Sequence, residues 1–87
     1  MKMEIELSDI DKGILRELYK KSHTRSYLCK KLERPRSTIW DHYLFLNQNK
    51  LVDKRIKRID KKGRPPVFFY LTKIGKKFVE ENKLWEN

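Results

Sequence analysis

Leu28-Cys29-Lys30-Lys31-Leu32-Glu33-Arg34-Pro35-Arg36-Ser37-Thr38-Ile39-Trp40-Asp41-His42-Tyr43-Leu44-Phe45-Leu46 is the stretch on which the reading of the whole chain turns. It holds two apolar patterns at helical spacing with a break between them. Leu28, Cys29 and Leu32 fall on one side of a short helix over about 25–33, with Arg25, Lys30 and Lys31 on the other. Ile39, Tyr43 and Leu46 stand at i, i+4 and i+7 of a second helix over about 35–49. Pro35 marks the start of the second, because the N–H that proline lacks has no partner in a helix's first turn anyway. Two short helices joined this tightly must cross, and each needs further elements to cover its apolar stripe.

Those elements lie on either side. Upstream, Ser8-Asp9-Ile10-Asp11 matches a capping-box variant, with Ser8 as N-cap and Asp11 three positions on. Ile10, Ile14, Leu15 and Leu18 follow at helical spacing, which predicts a helix over about 9–21. Before it, Met3, Ile5 and Leu7 alternate with Glu4 and Glu6, a short extended pattern. Ser22-His23-Thr24 reads as a connector, and His23 has no partner of metal-ligand type nearby in sequence. Downstream, Asn49-Lys50 ends the third helix, asparagine being tolerant of the left-handed conformation. Leu51 to Ile59 is β-branched and basic, Asp60 to Pro66 is a turn-rich tip, and Val67-Phe68-Phe69-Tyr70-Leu71 is a strong strand, which together make a hairpin with a long loop. Thr72 can cap a last helix over about 73–85 carrying Ile74, Phe78, Val79 and Trp85, with Gly75 a small cost in its first turn. The predicted order is helix-helix-helix-strand-strand-helix: a mainly α chain with a small β-hairpin (α+β), forming one domain over residues 1–87.

Composition bounds what such a chain can do. At 87 residues it holds a modest core, and its single cysteine, Cys29, rules out an internal disulfide. A lone thiol fits a reducing compartment, and on its helix Cys29 is expected as a small buried residue. No run approaches the roughly 20 apolar residues of a membrane span, and the first residues hold no apolar core of signal-peptide length, so a cytoplasmic protein without membrane contact is expected. Twenty-two Lys and Arg face twelve Asp and Glu, a formal net charge of +10, and the sign is uneven. Residues 20–77 carry 18 basic and 4 acidic side chains, whereas 1–19 and 78–87 are each net −2. A basic centre between acidic ends suits a directed polyanion-binding face, although a Lys-rich solvated surface would have a similar balance. No glycine-rich phosphate loop, Cys/His cluster or paired carboxylates argue for catalysis, a metal or a cofactor, and none is expected.

The central stretch resembles the helix-turn-helix of prokaryotic winged-helix transcriptional regulators, whose recognition helices often read R-S-T-[IV]-x-x-H-[LY]-x-x-L, as Arg36 to Leu46 does. Asn49-Lys50-Leu51-Val52-Asp53-Lys54-Arg55 is similar to the G-L-[IV]-x-[KR]-[KR] that leads into their wing. Gly63 to Gly75 is similar to the wing-and-exit pattern G-R-P-x-x-x-Y-x-L-T-x-x-G. The likeness covers about residues 8–80, and the broad group includes MarR and ArsR types and many small archaeal and viral proteins. It implies a winged helix-turn-helix that binds double-stranded DNA. Asn49 departs from the usual glycine, the chain is shorter than a typical MarR-type protein and lacks its long terminal dimer helices, and no Cys-x-Cys box of the ArsR kind is present, so neither group's effector chemistry carries over.

The candidate DNA-binding residues are Arg36, Ser37, Thr38, Trp40 and Asp41 on the third helix and Lys61, Lys62 and Arg64 at the hairpin tip. Arg36 can pair with a guanine edge or clamp a phosphate. Ser37 and Thr38 can donate to phosphate near the helix N-terminus, unless Thr38 is partly buried. Trp40, outside the core stripe, can touch thymine methyls or sugars, or pack against the wing or the second helix. Asp41 can accept from cytosine or pair with a nearby cation, and His42 is expected on the phosphate side or in a structural role. Arg64 suits a narrow minor groove. Phe68 and Tyr70 need cover if Phe69 and Leu71 face the core. Partners expected are double-stranded DNA and a second copy of the chain, held through the N-terminal segment, the first helix and the C-terminal helix. The alternative is a winged-helix module used for protein or RNA contacts.

Overall fold

The chain is described by a computed structural model over residues 6–56 and 66–85. The extended pattern of Met3 and Ile5 and the tip residues Lys61, Lys62 and Arg64 lie outside the described residues. Helix α1 (Asp9–Lys20) starts where the capping box places it. Ser8 Oγ accepts from Asp11 N (3.2 Å), while Ser8 N donates to Asp11 Oδ2 (3.0 Å), so two N–H groups that the helix leaves unpaired are satisfied reciprocally. Helix α2 (Arg25–Leu32) is capped by the Thr24 side chain, which accepts from Tyr27 N at 3.2 Å. Its end is abrupt, because Glu33 turns into the left-handed region (φ 54°), and Arg34 N returns to Cys29 O at 3.0 Å. Helix α3 (Arg36–Gln48) follows after three residues, with Pro35 as its N-cap rather than its first helical residue, so the helix starts one position later than the sequence suggests. Proline offers no side-chain acceptor there, and its carbonyl takes the N–H of Ile39 (3.1 Å).

Among the described residues three strands form one antiparallel sheet: β1 (His23–Thr24), β2 (Val52–Ile56) and β3 (Val67–Leu71), in the order β1-β3-β2. The hairpin β2–β3 was expected; β1 is an addition to the expected order. The connector Ser22-His23-Thr24 pairs its last two residues with Phe69 and Phe68. Two residues carry no alternation, so only the partner strand makes them a strand. The core is built as the stripes require: Ile14, Leu15 and Leu18 of α1, Leu28 of α2, Ile39, Tyr43 and Leu46 of α3, Leu51, Val52 and Phe69 of the sheet region, and Phe78 and Val79 of the last helix are all buried. Phe69 faces this core as expected, with Leu71 partly buried against it. Phe68 and Tyr70 are half-buried on the other face, where the Arg55 guanidinium covers Tyr70 (5.1 Å to the ring centroid). Cys29 is half-buried and packs against the core.

Helix α4 (Lys73–Glu81) closes the fold against α1, where Tyr19 Oη donates to Glu80 Oε2 at 3.1 Å. It is shorter than the stretch to residue 85. Lys83 takes a left-handed backbone (φ 53°), Leu84 N returns to Val79 O (2.9 Å), and Trp85 follows in a turn with 45% of its surface exposed. The start of α4 explains the L-T-x-x-G pattern. Thr72 Oγ1 accepts from Gly75 N (3.0 Å) and donates to Lys50 O (2.5 Å), and Thr72 N donates to Leu51 O (3.1 Å). Gly75 therefore lies flat on the chain at Leu51, so close that a Cβ there would sit 1.9 Å from Leu51 O. The residue that turns the chain after α3 is Lys50 (φ 62°), whereas Asn49 stays at φ −89° and spends its side chain on Phe45 O (2.9 Å).

Candidate nucleic-acid interface

Helix α3 presents three sides. Ile39, Tyr43 and Leu46 face the core, which fixes where the other residues point. Arg36, Ser37, Asp41 and Leu44 are exposed, and Thr38 and Trp40 are half-buried. The two flanks of that exposed strip differ in charge.

On the sheet side, α3, the start of α2 and strands β2 and β3 enclose a cleft of about 480 Å³. Its polar lining is Arg25, Arg36 and Lys54 with the hydroxyls of Thr24 and Ser26, and among the described residues no carboxylate contributes. Trp40 is its aromatic wall, stacked on Tyr43 (centroids 5.1 Å apart) and tilted against Phe69 (6.4 Å). Tyr43 stacks on Phe69 in turn (4.4 Å), and burial, with the Asp53 charge adding to it, pushes the Tyr43 phenol above its ordinary value and keeps it neutral. Arg25 and Lys54 both stand over the Trp40 ring, at 5.5 and 5.0 Å from its centroid. Arg36 Nη1 donates to Ser26 Oγ (3.3 Å), tying α3 to α2.

On the α1 side, an open hollow of about 680 Å³ is lined by Glu6, Asp11 and Asp41 together with His42, with no lysine or arginine among the described residues. His42 Nδ1 lies 2.6 Å from Asp11 Oδ1 and 3.4 Å from Ser8 Oγ. His42 therefore anchors α3 to the cap of α1, the structural one of its two expected roles. No group of His, Cys, Asp and Glu among the described residues is arranged to hold a metal ion, and no helix among them is long and apolar enough to cross a membrane.

The structure thus gathers Arg36 and Trp40 at the basic cleft, leaves Ser37 exposed at the start of α3, and sets Asp41 at the border of the acidic hollow. Asp41 has no ion-pair partner among the described residues. Lys61, Lys62 and Arg64 are outside the described residues. Sequence reasoning places Arg25 on the outward side of α2 and Lys54 in the basic run of the hairpin, with no sign that they meet; the antiparallel register Lys54↔Phe69 and His23↔Phe69 brings them to one ring.

No family model matches the sequence, and no curated protein does. Solved structures do match. A variant of Lactococcus lactis ZitR aligns with TM-score 0.80 at 18% identity, over 92% of this chain and 53% of that one. The adhesin competence repressor AdcR from Streptococcus pyogenes gives 0.80 at 18%, over 94% and 58%. A PadR family transcription regulator from Clostridium difficile gives 0.76 at 21%, over 87% and 84%. The chain thus spans little more than half the length of the ZitR and AdcR chains. It has the winged helix-turn-helix fold of these MarR- and PadR-type structures.

Proposed function

We propose that the chain is a sequence-specific double-stranded DNA-binding transcriptional regulator, with α3 in the major groove and the hairpin on phosphates or in the adjacent minor groove. The observation that carries this reading is the exposed start of α3 beside a cleft that holds Arg25, Arg36 and Lys54 and, among the described residues, no carboxylate. A helix fills the B-DNA major groove, and cations flanking it meet the phosphates that border the groove. The acidic hollow on the other side of α3 favours one approach of a polyanion over the opposite one. The similar structures include a repressor and a transcription regulator, which supports a binding role over an enzymatic one.

In this reading Arg36 and Ser37 contact base edges or flanking phosphates, Thr38 assists from its half-buried position, Trp40 and Asp41 bound the reading surface, and Lys61, Lys62 and Arg64 supply the wing contacts. The working unit is a homodimer held through the N-terminal segment, α1 and α4. Two-fold symmetry sets two copies of α3 about 34 Å apart, one turn of DNA. Selection of bound duplexes from a random pool tests the reading. A two-fold symmetric site with half-sites about one turn apart is the expected product; a pool that stays random after repeated rounds, or enrichment only of single-stranded RNA in a parallel pool, overturns it.

A further inference from the structure

Arg25, Arg36 and Lys54 come from three elements, α2, α3 and β2, and line one cleft. None of the three is in an ion pair with a carboxylate among the described residues, although twelve Asp and Glu are present in the chain. Cations brought together without a counter-charge repel one another, and the usual resolution is an anion that the site receives from outside. Trp40 is what makes the convergence tolerable in its absence. The negative face of an indole is the best aromatic partner for a cation within about 6 Å, and both Arg25 and Lys54 stand within that range. The ring itself is held by Tyr43 and Phe69, so its position is set by the core. Ser26 adds a hydroxyl and fixes the Arg36 guanidinium beside it.

We propose that this cleft is the seat of a single DNA backbone phosphate, gripped by Arg25 and Lys54 with Arg36 at its edge, and that Trp40 is the positioning residue that holds the two cations for it rather than a reader of bases. This inference rests on the DNA-binding reading above and adds residues and a role to it. One phosphate is favoured over a base because three cations converge on the cleft, and its lining among the described residues includes no amide or carboxylate side chain, the kinds that pair specifically with a base's amino group. The grip fixes the depth and tilt of α3 in the groove, since Arg36 and Trp40 of the seat stand on the same helix as the exposed Ser37 and Asp41.

The test uses the full chain and a duplex recovered by selection, carrying one neutral methylphosphonate at successive backbone positions. Wild type, Arg25→Gln, Lys54→Gln, Trp40→Phe and Trp40→Leu are compared by the slope of log K against log salt, with thermal unfolding to confirm that each is folded. Arg25→Gln and Lys54→Gln should each lower the magnitude of the slope by about one. Neutralising one and the same phosphate in each half-site should abolish the effect of both. Trp40→Phe keeps an aromatic face and should stay near wild type. Trp40→Leu should lower the slope while leaving the selected base preference intact. If the two cation variants map to different phosphates, or if Trp40→Leu changes base preference at an unchanged slope, the single seat is wrong while DNA binding stands. If the wild type shows no salt-dependent duplex binding, the DNA-binding reading fails and the seat with it. Arg25→Gln and Lys54→Gln alter half-buried and exposed side chains, so the outcome does not hang on the folding of the Trp40 variants.

Discussion

At the scale of single residues, two kinds of position stand out. Gly75 is required by proximity: a methyl group there would collide with backbone at Leu51, which has no flexible end to move aside. Gly75→Ala should destabilise the fold by about 3 kcal/mol, read as the shift in the urea midpoint at constant m-value. Gly13 offers the contrast, because the atom facing its missing Cβ is the flexible Leu32 Cδ2 at 2.8 Å. Arg36 obeys a different logic, since it is exposed and its replacement leaves the core intact. Arg36→Ala should relax base preference at one or two positions of a selected site, whereas Lys61→Ala or Lys62→Ala should weaken binding to all sequences about equally. Competition against point-mutated duplexes separates the two, and an identical sequence-independent loss for all three would remove Arg36 from base readout.

At the scale of elements, the helices and the hairpin were legible because each carries its own signal. The capping box gives α1 its start, the 3.6-residue stripes give α1 and α3 their inner faces, and the apolar run 67–71 gives β3. What was not legible depends on partners distant in sequence. β1 is a strand only because β3 lies beside it, and α4 stops at Glu81 because Lys83 turns left-handed and Asn82 Nδ2 bonds Phe78 O (2.9 Å), choices that a helical periodicity running on to Trp85 conceals. The convergence of Arg25 and Lys54 on Trp40 belongs to the same class. β1 also brings a testable consequence. His23 is buried, stacks on Tyr27 (3.8 Å between centroids), and its Nε2 has no hydrogen-bond partner among the described residues. Burial lowers its pKa, with opposing contributions from Glu17 and, on the lowering side, Lys21 and Lys20. The unfolded chain takes up this proton near pH 6.5, while the folded chain resists it until a lower pH. Stability should therefore fall as pH drops from about 6.5 toward the folded value, and be fully retained above 6.5. His23→Phe, which keeps the stacked ring, should flatten that part of the stability profile; an unchanged slope between pH 7 and 5.5 would mean that His23 protonates equally in both states.

At the scale of the whole molecule, charge and exposed apolar surface divide the labour. The basic residues are central, and the cleft beside α3 collects three of them, while Ile74 (46% exposed) and Trp85 (45%) leave apolar surface in the C-terminal part, next to the net-negative end. Val79 and Phe78 of α4 are buried in the core, so they stabilise the single chain, and what remains for a second copy is this outer surface. Sedimentation equilibrium at micromolar concentration should give a species of twice the 10.7 kDa chain mass, shifted toward monomer by Trp85→Ser. A monomer at that concentration, indifferent to Trp85→Ser, would leave the C-terminal surface without a dimer role. The central claim is that the basic side of α3 is built for duplex DNA, and the affinity of the wild-type chain for a selected duplex at increasing salt tests it most directly. Neutralising roughly 6–10 phosphates per dimer predicts a fall of about three to five orders of magnitude between 50 and 200 mM salt; an affinity that stays flat across that range would contradict it.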